Sequence, residues 1–381
     1  MTDDLPSPAL LPSGLADLLP PEAAREAALV EGMLSVFATH GYERVKPPLL
    51  EFEDSLLAGS GAAVADQTFR LMDPDSHRMM GVRSDTTPQV ARIAATRLAD
   101  VPRPLRLSYS GQVLRMRGSQ LAPERQIAQA GIELIGVDCP EADAEVALLG
   151  VAALAAVGVT DPSLDITLPR MAPVLLDAAG VDGDLRRRLA RALDRKDAAA
   201  VRELAAIAGP PAIGLTALLT AAGPADRALA ALREAELPAD ARAIADNAAS
   251  IVAAIRARAP GLRITLDPVE FRGLQYHVGV AFTLYGPGAT GELARGGRYR
   301  SGEEPATGMT MYPDAVRRAA PVAPTAPRVF IPLGADEAAA AGLRAQGFIT
   351  VAALSAADTP QRLRCGHILR GTAAAPIEES V

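Results

Sequence analysis

The sequence predicts an α+β fold in which an antiparallel sheet is flanked by helices, with an inserted helical subdomain and a short C-terminal α/β fragment. Residues 106–115 and 125–136 carry strand-like patterns joined by a short loop, which is typical of antiparallel strands. Residues 170–258 are rich in alanine and show helical periods that are broken by Gly and Pro. Residues 328–354 follow the order strand, helix, strand, and the fragment that they begin is too short for a full domain.

The composition limits the class of protein. A chain of 381 residues is long enough for two or three domains that fold without covalent cross-links. Cys139 and Cys365 are too few for a disulfide framework or a zinc site, so we expect two buried small hydrophobes. A net charge of −7 and the absence of Trp argue against nucleic acid as the main partner. Because neither a secretory signal nor an apolar run of about 18 residues is present, we predict a cytoplasmic protein without membrane contact.

The first predicted elements are a helix and a hairpin. The helix begins after Pro21, with acidic residues near its start, and ends near Gly41. Extended chain follows, because the Lys-Pro-Pro sequence at 46–48 excludes a helix. The glycine-rich stretch 59–64 lacks the strand-then-helix context of a dinucleotide-binding loop, so we expect a mobile loop there. Two short apolar runs around a turn predict a hairpin over 67–82.

A second helix is predicted to begin at Asp85 or Thr86, with Pro88 in its first turn. Asp85 and Thr87 have two interpretations. They can simply cap the helix, since both side chains accept hydrogen bonds from its free N–H groups. Alternatively, a carboxylate and a hydroxyl at a strand-to-helix junction bind an ammonium group, such as the amine of an amino acid.

The strand within 125–136 carries the most informative pattern. Gln129, Gly131 and Glu133 share one face, because successive side chains of a strand alternate, and the opposite face is apolar. A glycine between two polar side chains leaves a gap that a ligand can occupy. The alternative interpretation is a solvated sheet face that binds nothing.

One later segment also carries the pattern of a pocket wall. In 272–285, His277 and Gly279 alternate with large apolar residues, which indicates another pocket wall, although a lone strand histidine is more often structural.

The basic stretch 186–196 is interleaved with acids, so we interpret it as a solvated helix face rather than a tRNA-binding surface.

The patterns divide the chain into five predicted segments. The linker among them is assigned from its three prolines. In order, the segments are residues 1–169, the first part of the core; 170–258, the inserted helical subdomain; 259–320, the second part of the core; 321–327, the linker; and 328–381, a truncated α/β tail.

These segments, in this order, resemble the catalytic core of class II aminoacyl-tRNA synthetases, and specifically the histidyl-tRNA synthetase family, over residues 11–318. The strand that follows Gly41 resembles the first motif, which forms the dimer interface in that family. Residues 106–136 resemble the second motif. Residues 272–277 and 294–299 resemble the two histidine-recognition motifs.

The resemblance implies a histidine-binding site. Its residues are Asp85, Thr87, Arg115, Gln129, Glu133, Arg272, Tyr276 and His277. Asp85 and Thr87 would contact the α-amine of histidine. Gln129 and Glu133 would bind its amine and imidazole.

The implied site includes four further residues, one of which departs from the family pattern. Tyr276 would line the imidazole pocket. Arg115 and Arg272 stand at family positions that contact the histidine carboxylate and the α-phosphate of ATP, where positioned positive charge assists phosphoryl chemistry. His277 departs from the pattern, because it stands where the family has a tyrosine.

Other departures concern the ATP half of the site. Arg117 occupies the position of an acidic residue that holds the adenine side of ATP, and Ile127 replaces an aromatic residue that stacks on adenine. A third-motif arginine is also missing before Arg317. The resemblance therefore implies a histidine half that is retained and an ATP half that is dismantled.

This combination resembles the regulatory subunits of short-form ATP phosphoribosyltransferase, which are relatives of the synthetases that lack aminoacylation activity. The resemblance implies a non-catalytic subunit without cofactor or metal. Its partner would be a catalytic subunit that condenses ATP with phosphoribosyl pyrophosphate in the first step of histidine biosynthesis. It also implies a homodimer core within a hetero-octamer, and feedback inhibition by L-histidine. The alternative is a minimal histidyl-tRNA synthetase or a synthetase-like ATP-dependent ligase.

Overall fold

The computed structural model describes residues 9–118, 123–270, 277–322 and 324–377. Helices α1 to α12 span Glu22–Thr39, Glu53–Leu56, Thr87–Thr96, Pro140–Ala156, Met171–Ala178, Gly183–Asp194, Ala198–Ala208, Pro210–Ala221, Ala225–Glu234, Ala239–Arg258, Pro313–Ala319 and Glu337–Ala345. Strands β1 to β16 span Glu43–Arg44, Leu50–Phe52, Arg70–Met72, Met79–Val82, Leu105–Leu114, Gln126–Ile135, Ser163–Thr167, Gly223–Pro224, Arg263–Asp267, Ala281–Tyr285, Ala294–Ser301, Glu304–Met311, Arg328–Ile331, Ile349–Ala352, His367–Arg370 and Ala373–Pro376.

The chain divides into two compact units, Met1–Pro321 and Val322–Val381. The first unit is built on a nine-stranded sheet with the order β1-β5-β6-β12-β11-β10-β7-β9-β8. Strand pairing in its centre is antiparallel, and the pairs β1/β5 and β7/β9 are parallel. This architecture, a large sheet flanked by helices, confirms the predicted fold class.

One face of this sheet packs against helices. Ala130, Ile132 and Leu134 of β6 are almost completely buried, and they belong to one core cluster with residues of α1 and α4. Met309 and Met311 of β12 extend the same apolar face. Because side chains alternate along a strand, the opposite face of β6 and β12 is left to the polar residues of the site.

The helices α5 to α10 occupy most of the stretch between β7 and β9. Their basic helix α6 behaves as predicted: the Arg186 guanidinium lies 2.6 Å from the Asp177 carboxylate, and Arg187 lies 3.4 Å from Asp184. All four side chains are substantially exposed, so these ion pairs contribute little to stability.

The second unit contains a four-stranded sheet with the order β14-β13-β15-β16. Helix α12 buries Ala339, Ala340 and Leu343 in a cluster with Val329 and Ile331 of β13. The sequence predicted the strand, helix, strand order of β13, α12 and β14, but it did not predict β15 and β16. Both are only four residues long, and β16 consists of alanine and proline, which have low strand propensity.

Several local predictions are confirmed. Helix α1 begins at Glu22 and ends at Thr39, and Gly41 adopts the positive φ of +83° that terminates it. The hairpin over 67–82 forms as β3 and β4, and the Asp73 carboxylate accepts a hydrogen bond from the backbone N–H of Ser76 in its turn.

Three local predictions are wrong. The glycine-rich stretch expected to be a mobile loop forms a 3₁₀ helix, Gly59–Gln67. Cys139 is only half-buried, because it stands at the start of α4, whereas Cys365 is buried as expected. Strand β10 begins at Ala281, and Val278, expected on a buried apolar face, is 48% exposed.

Candidate functional site

The site is centred on Glu133, whose carboxyl group is buried on the polar face of β6. Glu133 is 0% exposed, and the hydroxyl of Tyr299 donates to its Oε2 at 2.8 Å. Its Oε1 has no hydrogen-bond partner among the residues that the structure describes. A buried oxygen without a partner is costly, so this atom marks a place where a ligand donor is expected.

A glycine makes room for this carboxyl group. Gly308 of β12 pairs with Glu133 in the sheet, and a Cβ at Gly308 would lie 1.8 Å from Oε2 of Glu133. No side chain other than hydrogen fits there. The glycine therefore allows the carboxyl group to lie flat against the neighbouring strand.

His277 lies against the next glycine of the same row. Gly297 of β11 pairs with Gly308, and a Cβ at Gly297 would lie 3.0 Å from Nε2 of His277. The histidine is 3% exposed. Two glycines on adjacent strands thus bring the imidazole of His277 and the carboxyl of Glu133 side by side, as the sequence predicted for a pocket wall.

A small cavity lies between these groups, and the roughly 200 Å³ of non-atom space at this place includes open solvent. Its walls are formed by Thr87, Glu133, His277, Arg295, Gly296, Gly297, Tyr299, Gly308, Met309 and Thr310. Three of the predicted site residues, Thr87, Glu133 and His277, therefore meet at one cavity.

Gln129 and Asp85 form a hydrogen-bond network beside the cavity. The Oε1 of Gln129 accepts from the backbone N–H and the hydroxyl of Thr86, at 3.1 and 2.8 Å. Its Nε2 donates to Oδ1 of Asp85 at 3.3 Å. The same carboxylate oxygen accepts from the backbone N–H of Thr87 at 3.3 Å, although the N-cap residue of α3 is Thr86 and not Asp85. Gln129 thereby holds the start of this helix against β6.

The gap expected at Gly131 is filled, which corrects the sequence-based prediction. Tyr109 of β5 pairs with Gly131, and a Cβ at Gly131 would lie 2.4 Å from the Tyr109 hydroxyl. That hydroxyl lies 2.8 Å from Oγ1 of Thr310 and 3.4 Å from Oγ1 of Thr87. The space above Gly131 therefore holds the side chain of Tyr109. The carboxyl group of Glu133 and the imidazole of His277 likewise lie against Gly308 and Gly297, and the cavity opens beside these two groups.

Arg115, the predicted arginine that the structure describes, does not line the cavity. Arg115 is half-buried just beyond the end of β5, where its charge acts on Asp85. Gly111, which shares its strand face, is covered by the guanidinium of Arg83. Arg272 and Tyr276 lie outside the described residues.

The electrostatics of the cavity favour neutral groups. Burial raises the pKa of Glu133 to about 8, an effect that the Tyr299 hydroxyl partly offsets. Burial, followed by the positive charge of Arg295, lowers the pKa of His277 to about 3. Burial also raises the pKa of Asp85, against the hydrogen bond from Thr87. At neutral pH, Glu133 is therefore largely protonated and His277 is an uncharged imidazole.

A buried ion pair supports the opposite side of β11. The guanidinium of Arg298 donates to both carboxylate oxygens of Asp143, at 3.1 and 2.8 Å, and the Thr307 hydroxyl donates to Asp143 at 2.7 Å. Arg298 is 6% and Asp143 is 1% exposed. This pair joins α4 to β11 and β12, and thus fixes the strands that carry Gly297 and Gly308.

The residues that depart from the synthetase pattern do not line the described cavity. Arg117 is exposed and Ile127 is half-buried. Arg317, the first arginine after the missing position, donates to Glu22 of α1 at 2.6 Å. Its guanidinium is therefore engaged in packing α11 against α1.

The described residues contain neither a membrane-crossing helix nor a cluster of metal ligands. No helix in them is both long and apolar enough to cross a membrane. No group of three or more His, Cys, Asp or Glu side chains within these ranges is arranged to hold a metal ion.

Several residues of the site carried no signal of their own in the sequence. Tyr109, Tyr299, Thr310 and Arg295 all face the site or line the cavity, although Arg295 and Tyr299 stand within a recognised motif. The signal that could have found them is the register of β6, β12 and β11, because partners across strands share a face. Register is not visible in a single strand.

Comparison with known proteins identifies the family. The sequence model of the histidyl-tRNA synthetase family matches residues 14–316. A curated ATP phosphoribosyltransferase regulatory subunit from Rhodospirillum centenum is 52% identical over 379 residues, which cover 97% of each chain. This match bears out the resemblance inferred from the motifs.

Solved structures show the same fold. A protein from Bacillus halodurans, described as an ATP phosphoribosyltransferase regulatory subunit/histidyl-tRNA synthetase, superposes with a TM-score of 0.78 at 23% identity, covering 94% of this chain and 96% of that one. A chain of the ATP phosphoribosyltransferase complex from Thermotoga maritima gives a TM-score of 0.60 at 17% identity, covering 76% of this chain and 97% of that one. From its sequence matches, the chain belongs to the family of ATP phosphoribosyltransferase regulatory subunits, whose fold is that of histidyl-tRNA synthetase.

Proposed function

We propose that this chain binds a catalytic ATP phosphoribosyltransferase subunit in the cytoplasm, is required for its activity, and senses L-histidine in the cavity around Glu133. The catalytic subunit performs the first step of histidine biosynthesis, and histidine is the end product that inhibits it. This chain performs no chemistry in that reaction. Its task is to convert histidine concentration into a change of its partner's activity.

The observation that carries the histidine-binding part is the unpartnered Oε1 of Glu133. An imidazole offers both a donor and an acceptor on one flat ring, and Glu133 and His277 present two uncharged hydrogen-bonding groups beside each other. A ligand that forms a hydrogen bond with Oε1 removes the cost of a buried, unsatisfied oxygen.

Asp85 supports a second contact at the other end of the ligand. Its carboxylate is held by Gln129 and by the backbone of Thr87, next to the hydroxyl of Thr87 that lines the cavity. An ammonium group gains a charge-assisted hydrogen bond from such an acceptor. We therefore assign Asp85 and Thr87 to the α-amine of histidine, and Arg115, Arg272 and Tyr276 remain further members of the proposed site.

Histidine can regulate the partner only by binding the inhibited assembly more tightly than the active one. The coupling is reciprocal, so assembly with the catalytic subunit must change histidine affinity by the same factor. A tenfold difference corresponds to about 1.4 kcal/mol of coupling free energy.

The assembly is proposed to be a hetero-octamer built around homodimers of this chain. Light scattering on the co-purified complex tests it. A mass that corresponds to four copies of each subunit supports the proposal, and a one-to-one heterodimer contradicts it.

The decisive functional experiment reconstitutes the activity. The chain is co-purified with the short catalytic subunit, and phosphoribosyl-ATP formation is measured with and without this chain and with increasing histidine. We expect activity that depends on this chain and that histidine inhibits, with inhibition lost in Glu133→Ala and Asp85→Ala. Equal inhibition of these variants would exclude the cavity as the sensor. Histidine-dependent exchange of pyrophosphate into ATP would instead establish a synthetase-like ligase.

A further inference from the structure

One wall of the cavity carries the positive charge of an arginine. Arg295 of β11 lines the cavity with Glu133 and His277, and its side chain is 27% exposed. Its recorded ion-pair contact is with Glu292, three residues earlier, at 3.5 Å. A contact of that length within a sequence-local, solvent-accessible pair holds the guanidinium only weakly.

The register of the sheet places Arg295 beside the imidazole wall. The row of residues that carries Glu133 continues through Gly308 to Gly297. In the adjacent row, Thr310 pairs with Arg295. The two rows are separated by two residues, or about 7 Å along the strands. This separation is comparable with the distance between the side chain and the carboxylate of a medium-sized amino acid.

The charge of Arg295 is not balanced by the innermost groups of the cavity. Glu133 is largely protonated at neutral pH, and His277 is uncharged. An anionic group that enters the cavity therefore meets a guanidinium and no ionised carboxylate among these inner groups. A guanidinium is well suited to a carboxylate, because its planar fork can donate two parallel hydrogen bonds.

Arg115 is less well placed for this task. It lies beyond the end of β5 and does not line the described cavity, whereas Tyr109, six residues earlier on the same strand face, already reaches Thr310. Among the arginines that the structure describes, Arg295 is the one in the cavity wall.

We propose that Arg295 binds the carboxylate of the ligand, and that the cavity therefore selects free α-amino acids over their esters, amides and decarboxylated amines. This inference rests on the proposed histidine site and names the residue that determines its specificity. Glu292 lies beside Arg295 and competes with the ligand for its guanidinium.

The test measures ligand differences rather than affinity alone. Calorimetry on the full-length chain compares L-histidine with histamine, which lacks the carboxylate, and with histidine methyl ester, in which it is uncharged. The variants are Arg295→Ala and Arg295→Lys. Arg300→Ala is the matched control, because Arg300 belongs to the same strand but has a half-exposed side chain and contacts Glu303.

We expect wild-type protein to bind histidine at least about tenfold more tightly than histamine or the ester, as a charge-assisted contact requires. Arg295→Ala is expected to weaken histidine about tenfold or more and to leave histamine unchanged or tighter. Arg295→Lys retains the charge but not the planar fork, so its affinity for histidine is expected to lie between those of wild type and Arg295→Ala. Arg300→Ala is expected to bind all three ligands as wild type does.

The outcomes separate the two proposals. If wild-type protein does not bind histidine, the proposed sensor is wrong, and the role of Arg295 is overturned with it. If wild-type protein binds histidine but Arg295→Ala weakens histidine and histamine equally, the sensor stands and the carboxylate assignment is overturned. Equal loss is also what a damaged pocket produces, so misfolding of a variant cannot imitate the expected result.

Discussion

Glu133 and Gly308 face each other across β6 and β12, and the carboxyl group of the first occupies the space that a Cβ on the second would fill. The cavity, the orphaned oxygen and the shifted pKa all depend on this relationship. A single hydrogen atom at position 308 permits an acidic side chain to be buried flat against the sheet.

Gly308→Ala tests this relationship directly. The new Cβ would lie 1.8 Å from Oε2 of Glu133, so the carboxyl group must move or the strands must separate. We expect a loss of about 1–3 kcal/mol in the free energy of unfolding and a loss of histidine binding. Urea denaturation and calorimetry measure the two effects. Gly342→Ala in α12 is the control: a Cβ there meets nothing within 4 Å, so a gain of about 0.5–1 kcal/mol is expected.

Glu133→Gln is expected to change how stability depends on pH. Because the folded pKa of about 8 lies above the ordinary value of 4.5, unfolding releases a proton between these values, and wild-type stability falls as pH rises through this window. Below the ordinary pKa both states are protonated and no penalty remains. The free energy of unfolding of Glu133→Gln, relative to that of wild type, should therefore increase by about 1 kcal/mol per pH unit between about pH 5 and 8.

Urea denaturation at several pH values checks this difference. Glu26→Gln is a useful control, because burial and the nearby Asp314 raise the pKa of Glu26 to about 7 at a place remote from the cavity. Its removal should flatten the profile between about pH 5 and 7 while histidine binding is retained. A constant difference between Glu133→Gln and wild type at all pH values would contradict the burial of an uncharged Glu133.

Tyr299→Phe removes the hydroxyl that donates to Oε2 of Glu133. The loss of this hydrogen bond is expected to cost about 1–2 kcal/mol of stability and to raise the pKa of Glu133 further, since the hydroxyl lowers it. The stability difference from Glu133→Gln stops changing at the pH that equals the folded pKa of Glu133. This pH should be higher in Tyr299→Phe than in wild type. An unchanged levelling point would show that Tyr299 does not set the protonation of Glu133.

Asp143→Asn tests the support behind the cavity. Arg298 would keep its buried position and its exposed partner Asp138 but lose its buried charged partner, which is expected to cost about 3 kcal/mol of unfolding free energy. Arg300→Ala, whose side chain is 52% exposed, should change stability by less than about 0.5 kcal/mol. If Asp143→Asn were as mild as Arg300→Ala, this ion pair would not fix the position of β11.

Local patterns in the sequence predicted the individual elements well. The proline before Glu22 and the acidic residues at the start of the helix, together with Gly41, predicted α1, and alternation predicted which side chains of β6 share a face. These features depend on neighbours in the chain, and backbone sterics and side-chain periodicity are local properties. The same patterns failed at Cys139 and Val278, where exposure depends on what packs against the residue.

The sequence by itself determined the family, the elements and the polar face that holds Gln129 and Glu133. Only the tertiary structure decided where that face is open. Tyr109 fills the space above Gly131, while Gly308 and Gly297, far along the chain, leave room beside Glu133 and bring Arg295 to the cavity wall. The physical reason is register: a side chain's neighbours in a sheet belong to other strands, and a shift of one residue turns every side chain to the opposite face.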